Sequence, residues 1–169
     1  MMAPAALAFA AALLGGSAAA QTLSLSGEAG QHARLSAADF AALPHVYMQV
    51  TQHGQAHAYD GVLLSELLAK VGAPHGEGIK GRELATVVRV SARDGYQVVV
   101  SLAETDAITR SARMIVADRE AGAPLKSDDG PFRLVVEDDL RPARSARQVE
   151  RIELLNLSTM SKATPAKSH

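Results

Sequence analysis

The sequence predicts an α+β fold: a single compact domain built on a mixed, mostly antiparallel sheet with a few short helices. Three observations carry that expectation. Short runs of alternating polar and apolar residues dominate the chain, and only two stretches repeat apolar residues at helical spacing, which departs from regular alternation of strand and helix. An Asp94-Gly95 pair separates two period-two runs, a local signal for a β-hairpin. With 169 residues, 47% of them hydrophobic, the chain suits one core and would be cramped as two domains.

The first twenty residues carry no charge, run apolar from Ala5 to Leu14, and end Ala18-Ala19-Ala20 before Gln21. This is the pattern of a secretory signal peptide with a small-residue cleavage site, so residues 1–20 are expected to be removed and the domain to occupy 21–158. A periplasmic or secreted location follows. No later segment approaches the ~20 apolar residues of a membrane-spanning helix. The chain has no cysteine, which excludes disulfides, thiol chemistry and thiolate metal sites. A formal net charge of -1, with Lys and Arg scattered up to residue 141, offers no face for nucleic acid.

Leu23 and Leu25 alternate with Ser24 and Ser26 before Gly27 and predict a first strand at a sheet edge. Ser36 and Asp39 open a short helix whose Phe40 and Leu43 face inward, and Pro44 closes it. Val46 to Thr51 reads as a strand, Gln52 to Gln55 as a turn, and His57 to Tyr59 as a short return strand ending at Asp60-Gly61. Leu63, Leu64, Leu67, Leu68 and Val71 recur at helical spacing, with Gly72 where a left-handed cap belongs.

The Pro- and Gly-rich stretch from Ala73 to Gly81 is expected as a surface loop. Val88 to Ala92 and Tyr96 to Leu102 form the hairpin, with Asp94-Gly95 expected as a two-residue type I′ turn. Ser101 and Glu104 form a capping box for a short helix. Arg113 to Ala117 is a strand, Asp118 to Pro124 a polar connection, and Leu134 to Val136 a strand introduced by Gly130-Pro131-Phe132-Arg133. Residues 137–147 read as a solvated charged loop, and Val149 to Leu157 as the last core strand. Residues 159–169 are polar, with nothing to bury, and are expected to be disordered.

Three blocks carry a resemblance. Tyr59-Asp60-Gly61-Val62-Leu63-Leu64-Ser65-Glu66-Leu67-Leu68 resembles the start of a helix in the sulfite-oxidase-type molybdopterin-binding domain. Asp94-Gly95-Tyr96 with Ser101-Leu102 is similar to that family's central hairpin, and Gly122-Ala123-Pro124-Leu125 with Asp129-Gly130-Pro131-Phe132-Arg133-Leu134-Val135-Val136 resembles a later segment. The match in order and spacing runs from about Leu23 to Leu157. It implies a sulfite-oxidase fold in which a molybdenum pterin lies among loops at strand ends. Family enzymes hold the metal through a Cys early in the domain, and the corresponding neighbourhood here, Val50-Thr51-Gln52-His53-Gly54, has none. Asp129 stands where the family commonly has His, and Arg144 and Arg147 fall where it often has Lys-Trp.

The resemblance makes Arg133 a candidate for an anionic pterin phosphate or another anion, since guanidinium gives bidentate, charge-assisted bonds to such groups. The other reading is an ion pair with Asp94 or Asp129. Tyr96 is a candidate to stack on a planar ligand, or else a half-buried sheet residue. Asp94 and Asp129 complete the candidate cofactor-binding set, and Glu104 is read as a capping residue. His53 and His57, with His45 upstream, are the weak metal candidates, because Gly54 and the turn keep them off a common helical face. No catalytic residue is assigned. The expected function is an exported molybdopterin-oxidoreductase-like domain that has lost molybdenum ligation and acts as a module for a small anionic ligand or as an accessory to a periplasmic protein partner. The alternative is an oxidoreductase that still binds a molybdopterin-type cofactor through Arg133 and neighbouring loops.

Overall fold

A computed structural model of the protein describes residues 21–160; the expected signal segment and residues 161–169 of the tail lie outside the described residues. The strands are β1 (Thr22–Ser26), β2 (His32–Ser36), β3 (Val46–Gln52), β4 (Gln55–Leu63), β5 (Thr86–Ala92), β6 (Gln97–Ser101), β7 (Met114–Glu120), β8 (Ala123–Pro124), β9 (Arg133–Val136) and β10 (Val149–Asn156). Three short helices, α1 (Ala37–Ala41), α2 (Leu64–Ala69) and α3 (Leu157–Met160), complete the set with several 3₁₀ turns. The first sheet has the order β2-β1-β10-β5-β6, and the second β3-β4-β7 with β8 and β9 both on the far side of β7. Among the described residues only β1 and β10 pair in parallel. The architecture is the α+β class that the sequence predicts.

The main core lies between the two sheets and α2. Leu23 and Leu25, Val88 and Val90, and Ile152 and Leu154 face it from the first sheet, and Val62, Val116, Leu134 and Val136 from the second. Leu64, Leu67 and Leu68 from α2 and Val71 from the turn after it enter this core and are each at most 1% exposed, a burial worth about 1.5–3 kcal/mol of transfer free energy per side chain. The second sheet also buries its other face, where Met48, Val50, Tyr59, Ile115, Ala117 and Val135 pack together. Double burial explains why Met114 to Ala117 and Leu134 to Val136 are unbroken apolar runs rather than alternations.

Several expectations are corrected. Strand β2 has no sequence counterpart above, because an edge strand with Ala33 and Leu35 only partly buried carries a weak alternation. Strand β4 continues through Asp60-Gly61 instead of turning there. Its register against β7 shifts at that point, and Gly61 is required because a Cβ would collide with the Val116 carbonyl and the Ala117 backbone. The polar connection after Ala117 is instead an extension of β7, returning through Ala121-Gly122, both at positive φ, into β8.

Asp94-Gly95 does join adjacent strands, but not through a type I′ turn. Gly95 takes φ 87° while Asp94 does not take a positive φ. The Gly95 N–H donates to the Ala92 carbonyl (3.1 Å) and the Ala92 N–H to the Tyr96 carbonyl (2.9 Å), so the loop is Arg93-Asp94-Gly95, a three-residue hairpin with glycine at the left-handed position. A two-residue turn of that kind lies at His53-Gly54, with φ 52° and 77° between the paired Gln52 and Gln55, as at Ala121-Gly122. The capping box at Ser101 is present: its hydroxyl accepts from the Glu104 N–H (3.2 Å) and its N–H donates to the Glu104 carboxylate (3.0 Å).

The loop after β9 is tied down rather than free. Arg113 grips Glu137 through Nε and Nη2, and Arg144 reaches both Asp139 and Glu104. The Arg113 bond holds the Glu137 carboxyl below the usual range, and the Ser101 backbone bond does the same for Glu104. Both carboxylates are more acidic folded than unfolded. Their stabilisation is therefore full above the unfolded value of about 4.3 and is lost as pH falls through and below it. A melting temperature measured from pH 6 to pH 3 is expected to fall less steeply in Glu137→Gln than in the natural protein. Gly95→Val is expected to cost about 1 kcal/mol or more, because the added Cβ meets no neighbour and only the positive φ opposes it. Urea denaturation that finds Gly95→Val as stable as the natural protein would contradict that account.

Candidate functional site

Three elements of the doubly buried second sheet converge at one end. The tight turn at His53-Gly54 turns the Gln52 side chain inward, where the residue is 8% exposed. On β4 the period of two places Gln55, His57 and Tyr59 on one face. On β9 Arg133 shares with Val135, two residues on, the outer face of this sheet, where Met48, Tyr59 and Ile115 also pack. The register shift between β4 and β7 matters here: Tyr59 lies opposite Glu120, whereas uninterrupted alternation from Ile115 and Ala117 would bring Arg119 to that face.

Arg133 is 5% exposed. Its Nη1 donates to Asp129 Oδ1 (3.1 Å), its Nη2 donates to Gln52 Oε1 (3.2 Å), and its guanidinium carbon lies 5.3 Å from the centre of the Tyr59 ring. The guanidinium thus gains a carboxylate, an amide and the face of an aromatic ring, the combination that makes a buried charge tolerable. Its Nε is buried without an acceptor, and so is the Tyr59 hydroxyl. Burial raises the Tyr59 pKa, against the pull of Arg133, so the phenol stays protonated at neutral pH. Asp129 Oδ1 also pairs with Arg147 Nε at 3.0 Å, so two guanidiniums share one carboxylate oxygen.

Next to this group the His57 Nδ1 lies 2.7 Å from Glu120 Oε1, and the imidazole stacks nearly parallel to Tyr59 with ring centres 6.1 Å apart. These side chains, with Lys126, Gln55 and His53, line a cleft of about 340 Å³. A second cleft of about 1040 Å³ runs beside it along β3 and shares Gln52, His53, Pro142 and Ser145 with the first. Lys126 forms no ion pair among the described residues, so the smaller cleft holds Arg133, Arg147 and Lys126 against Asp129 and Glu120.

The structure brings Arg133 and Asp129 together, as one of the sequence readings had it. Asp94 and Tyr96 lie elsewhere. Asp94 is exposed in the hairpin loop and accepts from the Tyr96 N–H at 2.9 Å, and the Tyr96 hydroxyl donates to the Ala143 carbonyl at 2.6 Å, tying the hairpin to the turn beneath it. The aromatic partner of Arg133 is Tyr59. His53 and His57 both line the smaller cleft, and the carboxylate beside His57 is Glu120. His45 is engaged separately, with Asp118 (3.1 Å) and the Leu43 carbonyl (2.7 Å). Among the described residues no group of three side chains is arranged to hold a metal ion. Glu104 is occupied by its capping bonds and by Arg144.

Two packed sheets, mostly antiparallel, with a cationic cleft at the strand ends define an α+β domain with one polar concave site. Residues 16–162 match the family described as the oxidoreductase molybdopterin binding domain, and the chain belongs to that family. Among solved structures it is similar to the sulfane dehydrogenase SoxCD from Paracoccus pantotrophus, with 15% sequence identity, a TM-score of 0.62, and coverage of 80% of this chain and 38% of that one. That likeness establishes a sulfite-oxidase-like fold. No curated protein matches the chain.

The family's cofactor can be set against the residues present. Its anionic tail fits the donor set, since Arg133, Lys126 and Arg147 supply charge and Gln55 and His57 supply polar atoms. Its metal does not fit. The hairpin tip that the resemblance places at the metal carries Gln52 and His53, and the Gln52 amide oxygen already accepts from Arg133. An amide cannot replace a thiolate in softness or in charge.

Asp129→Asn is expected to destabilise the domain by about 3–5 kcal/mol, because it leaves a buried guanidinium without its counter-charge. Arg133→Met combined with Asp129→Asn should recover most of that loss in urea denaturation. A double variant no more stable than Asp129→Asn would remove the buried pair as the cause.

Proposed function

We propose that the protein is an exported member of its family that does not ligate molybdenum and receives a small oxyanion in the cleft floored by Arg133. The observation that carries this reading is the sharing of one Asp129 oxygen by Arg133 and Arg147 beside an unpaired Lys126, which leaves positive charge uncompensated around a concave site. Bound anion would relieve that imbalance by charge-assisted bonds from Lys126 and Arg147, with the buried Arg133 adding its field from below. His57, held to Glu120, adds one more polar edge on the same wall. The absence of cysteine from the whole chain supports the loss of metal ligation. In this role the domain presents or senses an anion and carries out no oxidation itself.

Two measurements test the reading. Inorganic phosphate should raise the melting temperature with the logarithmic dependence of a single site, and Lys126→Ala combined with Arg147→Ala should remove the effect, leaving the unspecific contribution of salt as the baseline. Both residues are exposed, so the fold should tolerate the change. Protein recovered from its own host's exported fraction should contain no stoichiometric molybdenum by elemental analysis. Stoichiometric molybdenum, or a pterin found by mass spectrometry of that material, would favour the alternative of a cofactor-binding oxidoreductase.

A further inference from the structure

We propose that the uncovered edge of β3 accepts the extended C-terminal segment of another polypeptide as an added strand, parallel to β3, with its terminal carboxylate turned into the cationic cleft. The carboxylate end of this proposal rests on the anion reading above; the strand-pairing part rests on β3 alone.

Among the described residues strand β3 ends its sheet and pairs only with β4. The opposite side of the sheet is protected. Strand β8 has two residues, one of them Pro124, and β9 is bonded along its outer side, where the Leu134 N–H donates to the Ala146 carbonyl and the Val149 N–H to the Phe132 carbonyl. Strand β3 has no such protection: its seven residues, Val-Tyr-Met-Gln-Val-Thr-Gln, include neither charge nor proline.

The direction of its free groups follows from the turn. In a two-residue hairpin the closing pair, here Gln52 with Gln55, exchanges the hydrogen bonds, and bonded pairs then recur at every second residue. Val50 and Met48 therefore bond to β4, and the N–H and C=O groups of Tyr47, Gln49 and Thr51 point away from it. Among the described residues one of these gains a partner, the Tyr47 carbonyl, which accepts from Arg113 Nη1 at 3.3 Å. Unsatisfied strand edges of this kind are the template for strand addition.

Space and charge select the occupant. The cleft of about 1040 Å³ lies along Gln49 to Gln52 and is walled by Val136, Leu140 and Pro142 together with Asp138, Arg141 and Asp139, the last held by Arg144. Four residues of strand cover about 13 Å, so a short extended segment fits where a whole second sheet would meet the wall. Leu140 is 101% exposed and stands ready to cover apolar side chains of that segment. At the Gln52 end this cleft opens into the one holding Arg133, Arg147 and Lys126. These three cations outnumber the two carboxylates of the same cleft, Asp129 and Glu120, so a carboxylate there is attracted and an amino terminus is repelled. A terminal carboxylate at the Gln52 end requires the added strand to run in the direction of β3.

The test is titration of the ¹⁵N-labelled protein with three probes: the acetylated pentapeptide Thr-Val-Ser-Val-Val with a free carboxylate, its C-terminal amide, and the free acid N-methylated at alternate amides. The free acid should shift the amide resonances of Tyr47, Gln49 and Thr51, and both modified peptides should bind at least tenfold more weakly. Gln49→Pro removes one outward N–H and leaves the bonds to β4, so it should weaken the free acid tenfold or more. The N-methylated peptide carries the same question should that variant not fold. The proposal is overturned if millimolar free acid leaves the β3 resonances unmoved, if N-methylation has no effect, or if acid and amide bind equally. Self-association that Gln49→Pro abolishes would overturn it in favour of a second copy of this chain. Phosphate protection without a β3 response would remove this proposal alone, and loss of phosphate protection with acid-selective peptide binding would remove the small-oxyanion reading alone.

Discussion

A guanidinium buried at 5% exposure sets the geometry of one whole end of this domain. Arg133 begins β9, its acidic partner Asp129 comes from the loop before it, its amide partner Gln52 from the end of β3, and its aromatic floor Tyr59 from the middle of β4. Moving any one of these elements would strand a charge in a medium where the desolvation penalty is several kcal/mol. An apolar side chain of similar size would fill the space with less risk. The arrangement thus exchanges stability for placement, holding a positive charge beneath a cleft instead of at the surface, where water and salt would screen it.

The rest of the second sheet serves the same placement. Its outer face is buried around Met48, Ile115 and Val135, so the strands meeting at Arg133 are packed on both sides and cannot swing. Gly61 lets β4 approach β7 closely, and the register shift beside it brings Glu120 opposite Tyr59. His57 is then fixed between a carboxylate and an aromatic ring. A glycine and a strand irregularity, weak features in isolation, decide which charged side chains share the cleft.

The fold was legible in the sequence where periodicity was strong. The leucines of α2, the alternation on both sides of Gly95 and the apolar runs at Ile115 and Leu134 all stand in the elements expected of them, because their burial leaves one period available. Strand β2 was not legible, since a half-exposed edge strand is under little patterning constraint. Sequence alone gives the turn at Asp94 the geometry that His53-Gly54 adopts; one glycine satisfies both a three-residue loop and a two-residue one, and only the hydrogen bonds distinguish them. At the candidate site the pairing of Arg133 with Asp129 was within reach at four residues' separation. Gln52, Tyr59 and Glu120 were not, because each meets the site through contacts 60 or more residues apart in the chain. Tyr59 did stand at the head of a family-like block, which was the one available signal. Lys126 and Arg147 left none beyond their charge.

The missing thiolate and the buried Arg133 belong to one argument. A hairpin tip that carried a metal ligand would need that side chain free to face the cofactor. Here the side chain in that neighbourhood, Gln52, turns inward and gives its carbonyl oxygen to Arg133. Its companion His53 occupies a left-handed turn position with its side chain exposed. The tip has therefore become part of the support for the cation below it. The end of the sheet thereby presents a concave surface with fixed positive charge, and no thiolate stands at the tip beside it. What such a site does is decided by those side chains, since fold alone does not specify the chemistry.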